Sequence, residues 1–69
     1  MTLSEKTSVI NRIAELPRDS VTLDGRPAII GGFANDALVV ATLGAPRVAV
    51  EFSWQAVSRI IAADCAFRS

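Results

Sequence analysis

The chain has 69 residues, 51% of them hydrophobic, with seven basic and seven acidic side chains and no histidine or tyrosine. A chain this short forms a single domain, residues 1–69, and buries only about 60% of the surface that its unfolded form exposes. We therefore expect support from a partner or a second copy. Without histidine, the commonest general base and the commonest metal ligand are both missing, so we predict no catalytic residue, no metal site and no cofactor.

Cysteine use, charge and the first residues indicate the compartment. The lone Cys65 cannot form an internal disulfide, and residues 1–8 hold no apolar run like that of a signal peptide. No stretch has the roughly 18 consecutive apolar residues of a membrane span. We expect a cytoplasmic protein with no membrane partner. The net charge of zero disfavours nucleic-acid binding, which draws on an excess of lysine and arginine.

The first predicted element is a helix from about Ser4 to Leu16. Thr2 and Glu5 fit a capping box, and Ser4 is an equally good cap. Pro17 ends the helix, because the residue before a proline is pushed out of the helical region. The apolar residues recur at spacings that gather on one side of this helix: Leu3, Val9, Ile10, Ile13 and Leu16.

Four short strands follow. Period-two alternation and turn residues predict strands over about 20–23, 28–33, 37–43 and 47–52, with loops at 24–27, 34–36 and 44–46. Asn35-Asp36 is the second turn. Ser53 then caps a second amphipathic helix, from about Trp54 to Ala66. The predicted fold class is α+β: an N-terminal helix, a four-stranded antiparallel meander, which could curl toward an SH3-like barrel, and a C-terminal helix.

Loop lengths predict which residues face each other across the hairpins. The third loop pairs Val40 with Val50, Leu38 with Phe52, Ala41 with Ala49, Val39 with Glu51 and Leu43 with Arg47. The second pairs Ile30 with Val40, Ile29 with Ala41 and Phe33 with Ala37, and the first pairs Val21 with Ile30. One face then forms the primary core: Val21, Leu23, Ala28, Ile30, Leu38, Val40, Val48, Val50 and Phe52.

The other sheet face is also apolar, whereas an antiparallel sheet commonly has one polar face in contact with water. It collects Ile29, Phe33, Val39, Ala41, Leu43 and Ala49, bordered by Thr22, Arg47 and Glu51. Three explanations stay open: the first helix covers this face, the sheet curls into a small barrel around it, or it is the interface with a partner or second copy.

Three smaller features have a structural and a functional interpretation. Gly31-Gly32 predicts a bulge or bend in the second strand, because the strand, glycine-rich loop and helix of a phosphate site are absent. Cys65 is interpreted as a small core residue rather than a nucleophile. Trp54, the only tryptophan, is either the cover of one end of the core or an interface anchor.

The region Val21 to Ile61, with its short strands, glycine-bearing bend and closing 50–60 segment, resembles SH3-like small barrels. It is similar in particular to type II dihydrofolate reductases, whose last strand also leads into an Ala-x-x-x-Arg-Ile-type turn. That family's pore chemistry uses a Val-Gln-Ile-Tyr segment, where this chain has Ala49 to Phe52, Ala-Val-Glu-Phe, without the glutamine and the tyrosine. The resemblance therefore implies a fold, and reductase activity is not carried over from it.

We expect a non-enzymatic protein-interaction module, whether an inhibitor or an accessory protein. Its size, charge and lack of catalytic side chains suit the small proteins of phages and plasmids, anti-CRISPR proteins among them. Its partner is a protein or a second copy, as in a homodimer. The predicted partner-binding residues are Ile29, Phe33, Val39, Leu43, Arg47, Glu51 and Trp54. The alternative is a small-barrel nucleic-acid binder that uses Arg18, Arg26, Arg47, Arg59 and Arg68.

Overall fold

A computed structural model describes residues 2–17, 19–34 and 36–69. The fold is α+β, with an N-terminal helix, a five-stranded mixed sheet and a C-terminal helix. Its elements in chain order are α1 (Leu3–Glu15), β1 (Thr22–Leu23), β2 (Arg26–Ala34), β3 (Ala37–Thr42), β4 (Ala49–Ser53), α2 (Trp54–Ala62) and β5 (Ala66–Phe67). The predicted turn residue Asn35 lies outside the described residues, as does Arg18.

Helix α1 begins with the predicted capping box. The Thr2 hydroxyl accepts a hydrogen bond from the Glu5 N–H at 3.2 Å, and the Glu5 carboxylate accepts one from the Thr2 N–H at 3.5 Å. The helix ends at Glu15, one residue earlier than predicted, and Leu16 is extended ahead of Pro17. Only Val9 of its predicted apolar side is buried, while Leu3 and Ile10 are exposed.

The sheet order is β4-β3-β2-β1-β5, so the four predicted strands form an antiparallel meander and a fifth strand joins them. Strand β5 pairs with β1 in parallel, with Thr22 opposite Ala66 and Leu23 opposite Phe67. The prediction of four strands was wrong here, because the second helix ends at Ala62 and not at Ala66. The Asp64 carboxylate accepts a hydrogen bond from the Ala66 N–H at 3.1 Å, and this local turn competes with the helix.

The β3–β4 register is the predicted one, with Leu38 opposite Phe52 and Val40 opposite Val50. The first part of β2 is also as predicted, since Ile30 lies opposite Val40. The register then shifts by one residue between Ile30 and Gly32, at the predicted bulge.

The bulge changes the partner of every later residue in β2. Phe33 lies opposite Leu38, whereas Ala37 was predicted, and Ala37 lies opposite Ala34. A slip of one residue moves a side chain to the other face of a sheet. Phe33 therefore lies on the face of the buried Leu38, and its assignment to the second face was wrong.

The β1–β2 hairpin is tighter than predicted. Asp24 and Gly25 have φ values of 51° and 82°. A two-residue turn of type I′ requires a positive φ at both of its central positions. Strand β2 consequently begins at Arg26, and the predicted four-residue loop 24–27 was wrong. Val21 accepts a hydrogen bond from the Ala28 N–H at 3.1 Å, so it lies opposite Ala28 and not opposite Ile30.

The core lies between one face of the sheet and both helices. Val9 of α1 belongs to the same buried cluster as Val57 of α2 and Leu38 and Val40 of β3. The full cluster is Val9, Val21, Leu23, Ala28, Leu38, Val40, Trp54, Val57, Ile61, Cys65 and Phe67. Cys65 is a core residue, as predicted. Val48, assigned to the core from the sequence, is 39% exposed because it lies in the loop before β4.

The two outermost strands of the sheet, β4 and β5, contact each other through one pair of aromatic side chains. The rings of Phe52 in β4 and Phe67 in β5 lie edge to face, with centroids 5.1 Å apart. Among the described residues no backbone pairing joins β4 to β5, so the sheet has two edge strands and does not close into a barrel by hydrogen bonds.

Candidate protein-interaction surface

The sheet face opposite the helices carries exposed apolar side chains. We call this surface the open face and define it as Ile29, Val39, Ala41, Leu43, Ala49 and Glu51. Ile29, Ala41 and Ala49 lie in one row across β2, β3 and β4, and Val39 and Glu51 lie in the next. Ile29 is 45% exposed and Leu43 52% exposed, although their neighbours Ala28 and Thr42 are buried. The alternation of β-strands thus gives the sheet one buried and one open side.

Helix α1 does not cover the open face. Its buried Val9 packs into the core on the other side of the sheet, and its C-terminal residues Ile13 and Leu16 also pack against that core. Ile13, Leu16 and Ile29 border a shallow depression between the end of α1 and β2, but Ile29 stays exposed. Within the described residues, no helix or strand of this chain covers the open face.

The loop between β3 and β4 is held in place beside the open face. The Arg26 guanidinium donates two hydrogen bonds, to the carbonyl oxygens of Pro46 at 3.1 Å and Ala45 at 3.2 Å. The buried Thr42 hydroxyl accepts the Val48 N–H at 2.9 Å. One polar side chain from β2 and one from β3 thus hold this loop, although the sequence predicted no role for Thr42.

Arg47 lies in this loop and not in a strand, so the predicted start of strand four at Arg47 was wrong. The Thr42 hydroxyl accepts the Val48 N–H, and regular pairing therefore begins only at Ala49. Arg47 and Glu51 are both exposed. The only ion pair of residues 2–17, 19–34 and 36–69 joins Lys6 and Asp36, so neither Arg47 nor Glu51 has an ionic partner there.

Phe33 and Trp54 form a separate feature, which we call the aromatic corner together with Lys6 and Asp36. Their rings stack with centroids 5.7 Å apart and planes inclined by 10°. Trp54 is 6% exposed and Phe33 63% exposed, so Phe33 covers the tryptophan. The Lys6 ammonium lies 5.4 Å from the centre of the Trp54 ring and 3.5 Å from the Asp36 carboxylate.

The seven predicted contact residues therefore fall into two places. Ile29, Val39, Leu43 and Glu51 belong to the open face, with Arg47 in the loop at its end, while Phe33 and Trp54 lie at the aromatic corner. Trp54 is part of the core, as one of its two interpretations required. Sequence reasoning missed Lys6, because nothing local to the first helix indicates that it reaches a tryptophan 48 positions later.

The part of the chain that the structure describes contains neither a metal-ligand cluster nor a membrane-spanning helix. It has no group of three or more cysteine, aspartate and glutamate side chains that could hold a metal ion. None of its helices is long and apolar enough to cross a membrane.

Comparison with known proteins identifies no relative of this chain. No family model, no curated protein and no solved structure matches the chain.

Proposed function

We propose that this chain is a non-enzymatic protein-interaction module and that its open face is the contact surface. The observation that carries the proposal is the placement of both helices on one side of the sheet, which leaves Ile29 and Leu43 in water. Contiguous apolar side chains on a protein surface commonly mark an interaction site.

The open face has the composition of a small interface. Ile29, Val39 and Leu43 supply apolar area, and Ala41 and Ala49 leave room for side chains of a partner. Glu51 and the nearby Arg47 supply a charged border, where contacts give specificity and orientation more than affinity. Ile29, Val39 and Ala41 lie in paired strands, so binding has little backbone left to order at these positions.

The module is proposed to act as an inhibitor or accessory protein, of the kind that phages and plasmids encode. A domain of 69 residues with no histidine offers few side chains suited to catalysis but enough surface for one contact area. The nucleic-acid alternative is weaker, because Arg26, one of its five arginines, already donates to two backbone carbonyl groups.

The test is affinity capture from the organism that encodes the chain, followed by mass spectrometry. Three baits are used: the unchanged chain, an open-face variant with Ile29→Asp and Leu43→Asp, and a control variant with Leu3→Asp and Ile10→Asp. The control also changes two exposed apolar residues, but on α1. We expect a protein that the unchanged chain and the control capture and the open-face variant does not.

Equal capture by all three baits would show that the open face is not the contact surface. A purified partner then gives the magnitude, and we expect the open-face variant to bind it roughly tenfold or more weakly. Tight DNA binding that falls steeply with salt would instead favour the nucleic-acid alternative.

A further inference from the structure

Strand β4 leaves one side of its backbone without a partner. The Val48 carbonyl accepts the Thr42 N–H at 2.9 Å, so Val48 directs its backbone groups toward β3. In an antiparallel ladder this direction alternates, so Val50 and Phe52 also face β3, while Ala49 and Glu51 present N–H and C=O groups outward. Strand β4 ends the sheet, and within the described residues no other strand pairs with that outer side.

This edge carries the charge of Glu51 but lacks other common protection against pairing. Edge strands are commonly blocked by proline, lysine, a bulge or a covering element. Residues 49–53 hold neither proline nor lysine, and their pairing with β3 is regular. The side chains of Ala49 and Glu51 are exposed.

We propose that β4 pairs antiparallel with β4 of a second copy of this chain, with Ala49 opposite Ala49 of the second copy. In an isologous antiparallel pair, the numbers of opposing residues have a constant sum. Centring the pair on Ala49 makes that sum 98. Arg47 lies two residues before β4 begins, so the proposed pairing extends β4 by these two residues and sets Arg47 of each copy opposite Glu51 of the other. Opposite charges directly across two strands stabilise their pairing. The two-fold axis thus creates two ion pairs from residues that have no ionic partner among residues 2–17, 19–34 and 36–69 of one copy.

Neighbouring registers are worse. A shift that sets an outward-facing residue opposite an inward-facing one leaves the outer N–H and C=O groups unmatched. Centring on Val50 satisfies the backbone but sets Arg47 opposite Ser53 and leaves both charges unpaired. Centring on Glu51 sets two carboxylates opposite each other, which destabilises the pair. Charge therefore selects the register centred on Ala49.

The pairing does not depend on the proposed function of the open face. It joins two five-stranded sheets edge to edge and sets their open faces side by side. A dimeric surface would then present two equivalent sites to a partner, and it would add buried backbone pairing to a domain whose own core is small.

Charge reversal at positions 47 and 51 tests the register. Arg47→Glu alone and Glu51→Arg alone each set like charges across the two-fold axis. Sedimentation equilibrium of the unchanged chain should show a dimer, and each single variant should dissociate roughly tenfold more readily. Both positions are exposed, and circular dichroism checks that the variants fold.

Two recombinations of these changes are decisive. An equimolar mixture of the single variants should form a heterodimer, because every reversed charge then meets its complement. The double variant Arg47→Glu, Glu51→Arg should recover the homodimer for the same reason. Arg59→Glu on the exposed side of α2 makes the same charge change as Arg47→Glu and should leave the dimer unchanged.

The contrary outcomes are equally clear. A monomer at all concentrations, or single variants that dimerise like the unchanged chain, would overturn the proposal. A dimer that survives charge reversal but is lost in Ile29→Asp would show pairing through the open face instead. Failure of the dimer would leave the affinity-capture test of the open face unaffected.

Discussion

The two faces of the sheet come from the same strands and have nearly the same apolar composition, yet they differ in what covers them. Leu38 and Val40 are fully buried, whereas Ile29 and Leu43, on the same two hairpins, are about half exposed. The difference does not come from the strands themselves. Both amphipathic helices pack on one side, and the side that they leave carries more apolar surface than a sheet face in water needs.

The largest predicted effect is the difference in unfolding free energy between equivalent truncations on the two faces. Leu38→Ala removes a side chain that is 0% exposed, and we expect a loss of about 2–5 kcal/mol in the free energy of unfolding. Ile29→Ala removes as many carbon atoms from the open face and should cost less than about 1 kcal/mol in the monomer. Urea denaturation followed by tryptophan fluorescence measures both. Equal losses would mean that Ile29 is covered.

The sequence was sufficient for the elements whose signals are local. The capping box of α1, the Ser53 cap of α2 and the β3–β4 register all follow from residues within a few positions of one another. The predicted open face followed from strand alternation, except for Phe33. The glycine pair predicts the bulge at Gly31-Gly32, but the predicted register of β2 is continuous and therefore places Phe33 on the wrong face. A bulge reverses the facing of every residue after it.

The rest depends on contacts between distant segments. No local pattern fixes the side of the sheet on which α1 packs, since its apolar side fits either apolar face. Strand β5 has only two residues and pairs with β1 across more than 40 positions, so no periodicity could reveal it. The stacking of Phe33 on Trp54 combines both difficulties, the bulge and the approach of α2.

The next prediction concerns the junction of the covered face with the β3–β4 loop. Thr42→Val keeps the shape of the buried side chain but leaves the Val48 N–H without its acceptor. We expect a loss of about 1–3 kcal/mol in the free energy of unfolding and faster amide hydrogen exchange at Val48. Thr22→Val is the matched control, because no hydrogen bond of the Thr22 hydroxyl is found in the described residues. Similar losses in both variants would rule out a role for the Thr42 hydroxyl.

A smaller effect is the difference in stability between alanine substitutions at two glycines that have equal space around them. A Cβ at Gly25 or at Gly32 would meet no atom within 4 Å, but only Gly25 has a positive φ, of 82°. Gly25→Ala should cost about 1 kcal/mol of unfolding free energy, because that conformation is strained for alanine. Gly32→Ala, opposite Val39 of the open face, should change it by less than about 0.5 kcal/mol. Thermal unfolding of the pair measures the difference, and equal shifts would contradict the turn geometry.

The smallest effect is a pH dependence at the edge where β5 joins the sheet. The hydroxyl and backbone N–H of Ser69 donate to the Asp24 carboxylate at 2.6 and 3.0 Å, and these bonds lower the Asp24 pKa from its ordinary value of 3.8. The folded state therefore binds this proton less tightly than the unfolded state does. The contribution to stability is complete above pH 3.8 and is lost as the pH falls through the lowered pKa.

Asp24→Asn should remove this part of the pH dependence, because asparagine tolerates the same positive φ but does not titrate. Urea unfolding of the two proteins between pH 5 and pH 2 should give a difference in stability that shrinks toward the acid end. Ser69→Ala removes the shorter of the two hydrogen bonds and should reduce the difference without abolishing it. A difference that grows on acidification would mean that Asp24 is destabilised in the folded state, and that the Ser69 contacts do not fasten the chain beside β5.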